Sequence, residues 1–293
     1  MKSNSESKRV KRLRHQIIKS IPRVPNNRES LYSLQKKLLP DLFVIYFNWK
    51  IRFIAQRRRV VVIEDSVKRD NRWYLLEGRI EAFLKKVSNG DDLTPHLSLK
   101  VHSRGYSLAA DTYKSNPNAW EDKDFLLNVM RYHHFHLGDI LPGKQHVDRS
   151  NDVLFAEVSR DTFTVKAILD HSVFDELDNT SGKMTMTKDK KRLYEISDER
   201  TTRGLPPGRY IIRNGISGSG HSIATVEAAI EYVKIIKEID PKLDDIHFLR
   251  SLYDAKGLEM PRKPKLNWYL KHLDLGISDE VSGLSKVIKD GPT

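Results

Sequence analysis

The sequence predicts an α+β fold: a small antiparallel sheet with packed helices, a basic helical N-terminal arm, and a smaller C-terminal α/β section. Three observations predict it. Apolar residues recur at three- and four-residue steps in several long segments, the period of a helix face. Three β-rich runs lie close together, at 133–138, 152–159 and 162–171, the last two separated only by Arg160-Asp161. The chain has 293 residues, 39% hydrophobic and 31% charged, enough to bury a core under a charge-rich surface.

The elements follow in order. Residues 1–30 read as a basic arm broken by Pro22 and Pro25. LYSLQKKLLPDLFVIYFNWKIRFI (31–54) is helical, interrupted at Pro40, with Leu42, Ile45, Tyr46, Trp49 and Phe53 on one face. VVVI (60–63) reads as a buried strand. NRWYLLEGRIEAFLKKVS (71–88) is an amphipathic helix that Asn89-Gly90 would close. LSLKVHS (97–103) reads as a strand, and WEDKDFLLNVMRY (120–132) as a helix with acids in its first turn. The two-residue spacing at Arg160-Asp161 suits a tight hairpin.

Residues 175–208 are polar, with the charge run KDKKR at 188–192, and read as a linker. Beyond them come a strand RYIIR (209–213), a loop NGISGSGHS (214–222) and a helix over 223–240. That helix would carry Val226, Ala229, Ile230, Val233 and Ile236 on its core face. The glycines of the loop leave room for an anion at a helix N-terminus, but the loop lacks the Walker lysine and the dinucleotide spacing. A plain loop with Ser222 or Thr225 as N-cap is the simpler reading. In PRKPKLNWYL (261–270), cations accompany Trp268 and Tyr269, a pairing that stacks on bases or packs at an edge.

The charge is unevenly placed. The net charge is +12, yet residues 1–60 hold 16 Lys/Arg against only Glu6, Glu29 and Asp41. A near-neutral body thus carries a basic head. Concentrated cations are the footprint of phosphate-backbone binding, because each neutralised phosphate releases condensed counterions. Arg9, Lys11, Arg12, Arg14, Arg57, Arg58 and Arg59 are the expected nucleic-acid contacts.

Other classes drop out. There is no cysteine, which removes disulfides, thiolate metal sites and a Cys nucleophile. No apolar run approaches the roughly 20 residues that cross a bilayer. The basic MKSNSESKRVKRLRHQ has no apolar core behind it, unlike a secretory signal, so a cytoplasmic protein without membrane partners is expected.

The densest chemistry lies in RYHHFH (131–136), with His146 and His171 later. On a strand, His134 and His136 share one face while His133 and Phe135 take the other. Such a pair suits proton transfer near neutral pH. It could also hold a metal with His171, Asp139 or Asp170 as a third ligand, but HxH without a fixed third spacing is weak, so no metal and no cofactor is expected.

Two resemblances attach to these residues. Arg131 and His136 have the arginine–histidine spacing of the HEPN ribonucleases, although Tyr132 replaces the polar residue usual there. Over roughly residues 59–171, the order strand, helix, helix, strand, hairpin resembles the RelE/HigB/ParE toxin family. HHFHLGDILPG…DVLFAEVSRDTFTVKAILDH is similar to its second half, and KKVSNGDDLTPHLS (85–98) to its helix end and loop. Asp152 and Val153 stand where that family opens the hairpin with arginine, Arg149 stands near a basic loop position, and 99–131 would be an insertion.

That resemblance implies a toxin-like endoribonuclease that cuts RNA without metal, in a toxin–antitoxin or phage-defence setting. RNA, the ribosome and an antitoxin or regulatory protein would be its partners. His136 and His171 would exchange protons, with His134 beside them and Arg131 or Lys144 stabilising the phosphorane. The implied organisation is an arm and helix (1–58), a toxin-like core (59–174), a linker (175–208) and a C-terminal section (209–293). The rival readings are a non-catalytic nucleic-acid-binding or assembly protein, and a His/Asp metal-dependent nuclease.

Overall fold

The computed structural model describes residues 6–108, 125–140, 143–175, 185–206, 208–209, 215–218 and 220–292. In chain order these form α1 (Lys8–Ser20), α2 (Arg28–Lys36), α3 (Leu39–Lys50), β1 (Val60–Ile63), α4 (Asp65–Lys68), α5 (Asn71–Asn89), α6 (Lys100–Ser103) and α7 (Phe125–Met130). There follow β2 (Tyr132–His136), β3 (Asp152–Val158), β4 (Thr162–Asp170), α8 (Lys188–Thr202), α9 (Ile223–Ile239), α10 (Ile246–Asp254), β5 (Leu266–Lys271), β6 (Asp274–Asp279) and β7 (Ser285–Lys289). The fold is α+β, helices packed on two small sheets. Among the described residues, no helix is long and apolar enough to cross a membrane.

The chain divides into two units, and the division is not the one expected from the sequence. The first unit joins residues 1–51, 104–123 and 216–292; the second joins 52–103 and 124–215. The basic head is therefore folded rather than an arm. In α1 the side chains of Val10, Leu13, Ile17 and Ile18 are buried, and α1 packs on β5 and α3. Asp240, itself buried, accepts hydrogen bonds from Arg9 Nε and Trp268 Nε1, both at 2.9 Å, and so ties α1 to β5. Pro40 sits in the first turn of α3, where its missing N–H costs nothing.

In α9 the buried side chains are Thr225, Ala228, Ala229, Tyr232 and Ile236. The expected core face is rotated: Ile230 is 59% exposed. The pivot is Tyr232, whose hydroxyl donates to the carbonyl of Leu273 at 2.8 Å while its ring meets Phe43 and Phe47. Ser222 makes no side-chain cap on α9. Trp268 is a buried core residue and not a base-stacking platform. Residues 210–214 of the expected strand and loop lie outside the described residues, as do 109–124 of the expected insertion and helix.

The second unit is built on a four-stranded sheet in the order β1-β4-β3-β2. Its β2–β3 and β3–β4 pairs are antiparallel, and β1 adds to the edge in parallel with β4. The hairpin falls where expected, with Ser159 and Thr162 bonded across Arg160-Asp161. VVVI is an edge strand, not a buried one: Val60 is 68% exposed, while Val61 and Ile63 pack inward.

One sheet face carries Phe135, Leu154, Ala156, Phe163, Val165 and Ile168, covered by Trp73, Ile80, Phe83, Leu84 and Val87 of α5. Gly90 closes α5 at φ 80°, as Asn89-Gly90 predicts. The segment 97–103 is not a strand. Thr94–His96 forms a 3-10 turn around Pro95, and Leu97 and Val101, four apart, are buried as on a helix.

The opposite face carries Tyr132, Val153, Phe155, Ala167 and Leu169, covered by Met130 and by Leu193 of α8. The expected linker thus contains a packed helix. Charge pairing completes its attachment: Arg72 Nη2 lies 2.8 Å from the buried Asp189 carboxylate, and Arg192 pairs with Asp70.

Candidate active site

The site forms on the α8-covered face of the second unit, where β2 ends. The strand period sets its first members. His133 and Phe135 point to the α5 side, their rings stacked at 6.2 Å, while His134 and His136 share the other face with ring centroids 6.4 Å apart. The register places His136 opposite Val153, and Val153 opposite Leu169. Two residues beyond Leu169 the chain leaves β4 in a 3-10 turn, His171–Phe174, capped by the Asp170 carboxylate accepting from Ser172 N–H at 2.9 Å. That turn brings His171 over the sheet face, and its ring stacks on His136 at 5.3 Å with a 22° tilt.

Phe174 closes the group. Its ring lies 4.8 Å from His134, 5.7 Å from His171 and 6.1 Å from Phe155. The 3-10 turn therefore delivers both a histidine and the apolar wall beside it.

The proton states follow from the partners. His171 Nδ1 lies 2.9 Å from the carbonyl of Asn151, which can only accept, so Nδ1 carries the proton. In neutral His171 this leaves the Nε2 lone pair available as a base. His136 is 2% exposed, and among the described residues its Nδ1 has no hydrogen-bond partner. Burial, then the charges of Arg149, His134 and His171, push His136 down to about 3, so it is neutral at physiological pH.

The loop that carries Arg149 returns towards the end of β2 because of Gly138. A Cβ on Gly138 would stand 2.1 Å from the carbonyl oxygen of Asp148, so only glycine allows the loop to fold back there. Asp148 N–H donates to the backbone carbonyl of Asp139 at 2.8 Å and seals the return.

Of the expected catalytic residues, the fold gathers His134, His136 and His171, and it separates Arg131. Arg131 immediately precedes β2, five residues from His136, about 16 Å away at a strand's rise per residue. Its φ of 64° is left-handed, and it turns the chain out of α7 by donating its N–H to the Leu127 carbonyl. Its electrostatic neighbours are Arg200 and Glu157, with burial the leading cause that holds its pKa down. Lys144 is exposed on the 143–150 loop. Arg149, outside the expected set, is the first of the three charges that act on His136 after burial. Its signal in the sequence was the basic loop position ahead of β3.

The expected nucleic-acid contacts divide in the same way. Arg9 is bound to Asp240 and Asp244, and Arg14 donates to the carbonyl of Lys37 at 2.7 Å. Arg59 is 8% exposed and donates to the carbonyls of Ser159, Ala55 and Arg57. These three hold their own units together. Lys11, Arg12 and Arg58 are exposed, and Arg57 is half-buried.

For metal chemistry, no group of three or more His, Asp or Glu among the described residues is placed to hold an ion. No family model matches the chain, and no curated protein or solved structure matches it.

Proposed function

We propose that the chain is an endoribonuclease that cleaves RNA by metal-independent acid–base chemistry, as the likeness to RelE/HigB/ParE toxins implies. The observation that carries this reading is the stack of His171 on a neutral, buried His136, with the charge of Arg149 acting on it. In the proposed reaction, His171 Nε2 takes the proton of a 2′-hydroxyl. The 2′-oxygen attacks the adjacent phosphorus, the bond to the 5′-oxygen breaks, and that oxygen takes a proton from His134, the other half-exposed imidazole beside Phe174. The products are a 2′,3′-cyclic phosphate and a 5′-hydroxyl.

His136 in this scheme is a positioning residue. At 2% exposure it does not reach substrate, but its neutral ring supports His171 without adding a like charge. Arg149 stabilises the phosphorane through preorganised charge. A toxin–antitoxin or phage-defence role, with the ribosome or an antitoxin as partner, belongs to the same proposal.

The test is RNA cleavage by the purified chain in EDTA, with and without ribosomes, together with growth on induced expression. Cleavage that survives chelator, leaves cyclic phosphate ends and falls about 10²–10⁴-fold in His171→Ala supports the reading. Equal cleavage by wild type and folded His171→Ala, or none by wild type in any setting, overturns it.

A further inference from the structure

We propose that the first unit carries a separate binding site for single-stranded nucleic acid, formed by a cationic stripe on α1 and the cleft at its C-terminal end. The stripe is Lys8, Arg12, His15 and Lys19, all exposed, with Arg12 Nη1 donating to Asn267 Oδ1 at 2.8 Å. Steps of four, three and four residues put them on one side of the helix, opposite the buried Val10, Leu13 and Ile17. Eleven residues separate its ends, a run of about 16 Å along the helix. Three of its members lie outside the set that charge density alone picks out, because what matters is which cations the fold leaves facing solvent.

Lys19 leads into a cleft of about 320 Å³ lined by Lys19, Ser20, Ile21, Pro22, Arg23, Asn26 and Trp49. It combines two cations, an amide and an indole, the set that seats one base on an aromatic face while holding its phosphate. The cleft wall is held in place from elsewhere in the same unit. Tyr106 N–H donates to the Pro22 carbonyl and Val24 N–H to the Tyr106 carbonyl, each at 2.8 Å, and the Tyr106 hydroxyl meets Ser33 Oγ at 2.6 Å. Arg23 is aimed by two bonds to Asn26 Oδ1, at 3.1 and 2.7 Å. Trp49 is set by its edge contact with Tyr46, ring centroids 5.8 Å apart, and by Lys50 Nζ over its ring at 5.2 Å, which adds a third cation beside the indole. A pre-shaped cleft with an aromatic wall at the end of a cationic track fits an extended strand with one splayed base. It does not fit a duplex, whose bases are stacked inward.

This site is independent of the histidine pair, and the experiment keeps the two apart. Fluorescein-labelled oligo(U), oligo(dT) and a duplex of matched length are titrated by anisotropy into the full chain carrying His171→Ala, so that no probe is cleaved. Both single strands are expected to bind more tightly than the duplex. Trp49→Ala should weaken single-strand binding about 5- to 100-fold. Lys8→Glu with Lys19→Glu, both surface positions that leave folding intact, should weaken it and lower the salt slope by about 1.4. The charge-matched pair Lys234→Glu with Lys237→Glu, on the exposed side of α9, should leave the slope unchanged. Binding that prefers duplex, a stripe variant that binds like its parent, or an equal loss in the α9 pair overturns the proposal. A chain that binds as predicted yet never cleaves RNA would sink the ribonuclease reading and leave this site standing.

Discussion

His96 Nδ1 lies 2.8 Å from the backbone carbonyl of His136, and Lys86 Nζ lies 3.0 Å from the Nε2 of the same ring. The carbonyl accepts only and the ammonium donates only, so this imidazole is neutral with its proton on Nδ1. Burial is the first cause that holds its pKa down. The ring pins the end of β2 beside the Pro95 turn. His96→Ala leaves that carbonyl unsatisfied and is expected to cost about 1–3 kcal/mol in urea unfolding. His96→Gln, which keeps a donor, should recover part of the loss.

Two arginines near β2 make opposite forecasts. Arg149→Ala should lower kcat about 10²-fold with little change in fold, as expected when one preorganised charge is removed. Arg131→Gly should leave cleavage intact, because Arg131 serves as a left-handed turn out of α7 and glycine takes that conformation without strain. Loss of activity in folded Arg131→Gly would favour the arginine–histidine spacing over the geometry.

Acid should weaken the second unit through its buried histidines. His136 sits at about 3 when folded against about 6.5 for the free side chain, so below 6.5 the unfolded chain binds the extra proton. Its contribution is fully present above that value and is lost as pH falls towards 3, by at most about 1.4 kcal/mol per pH unit. His96 acts in the same direction. Urea midpoints measured between pH 7 and 4 should fall steeply in wild type and less in His136→Asn.

Arg59 reads as a nucleic-acid contact in the sequence and behaves as an internal strut in the fold. Its guanidinium donates to three backbone carbonyls, and burial is the leading cause of its lowered pKa. Arg59→Ala should therefore cost about 1–3 kcal/mol by leaving buried acceptors unpaired. Its effect on oligonucleotide affinity should match that of any folded, unrelated variant.

The strands and the hairpin of the second unit are legible in the sequence because their signals are local. VLFAEV and FTVKAIL are β-rich, and Arg160-Asp161 leaves room only for a tight turn. The facing of His134 and His136 is legible for the same reason, since alternation fixes it. The His136–His171 stack is not legible: it needs the β2–β3–β4 register and the 3-10 turn that folds His171 back. Nor is the pairing of residues 6–51 with 216–292, which rests on long-range contacts such as Asp240 with Arg9. Charge density alone could not separate Arg9, spent on two aspartates, from Lys19, which faces solvent.

The helix α8 shows how a packed element can read as a linker. In KDKKRLYEISDERTT the hydropathy pattern is faint, because attachment rests on one fully buried leucine and several charge pairs. Leu193 fills the face made by Met130, Tyr132, Val153, Phe155 and Leu169. Arg200 donates from the far end of α8 to Glu157 at 2.5 Å and to the Met130 carbonyl at 2.9 Å. If the segment were a linker, Leu193→Ala would change stability by no more than a surface substitution. Packed as it is, the substitution opens a cavity against the sheet and should cost about 2–5 kcal/mol. Because α8 covers the face that carries the histidines, cleavage should fall with temperature in step with the loss of its protection in hydrogen exchange. Unchanged unfolding in Leu193→Ala would return the segment to the role of a connector.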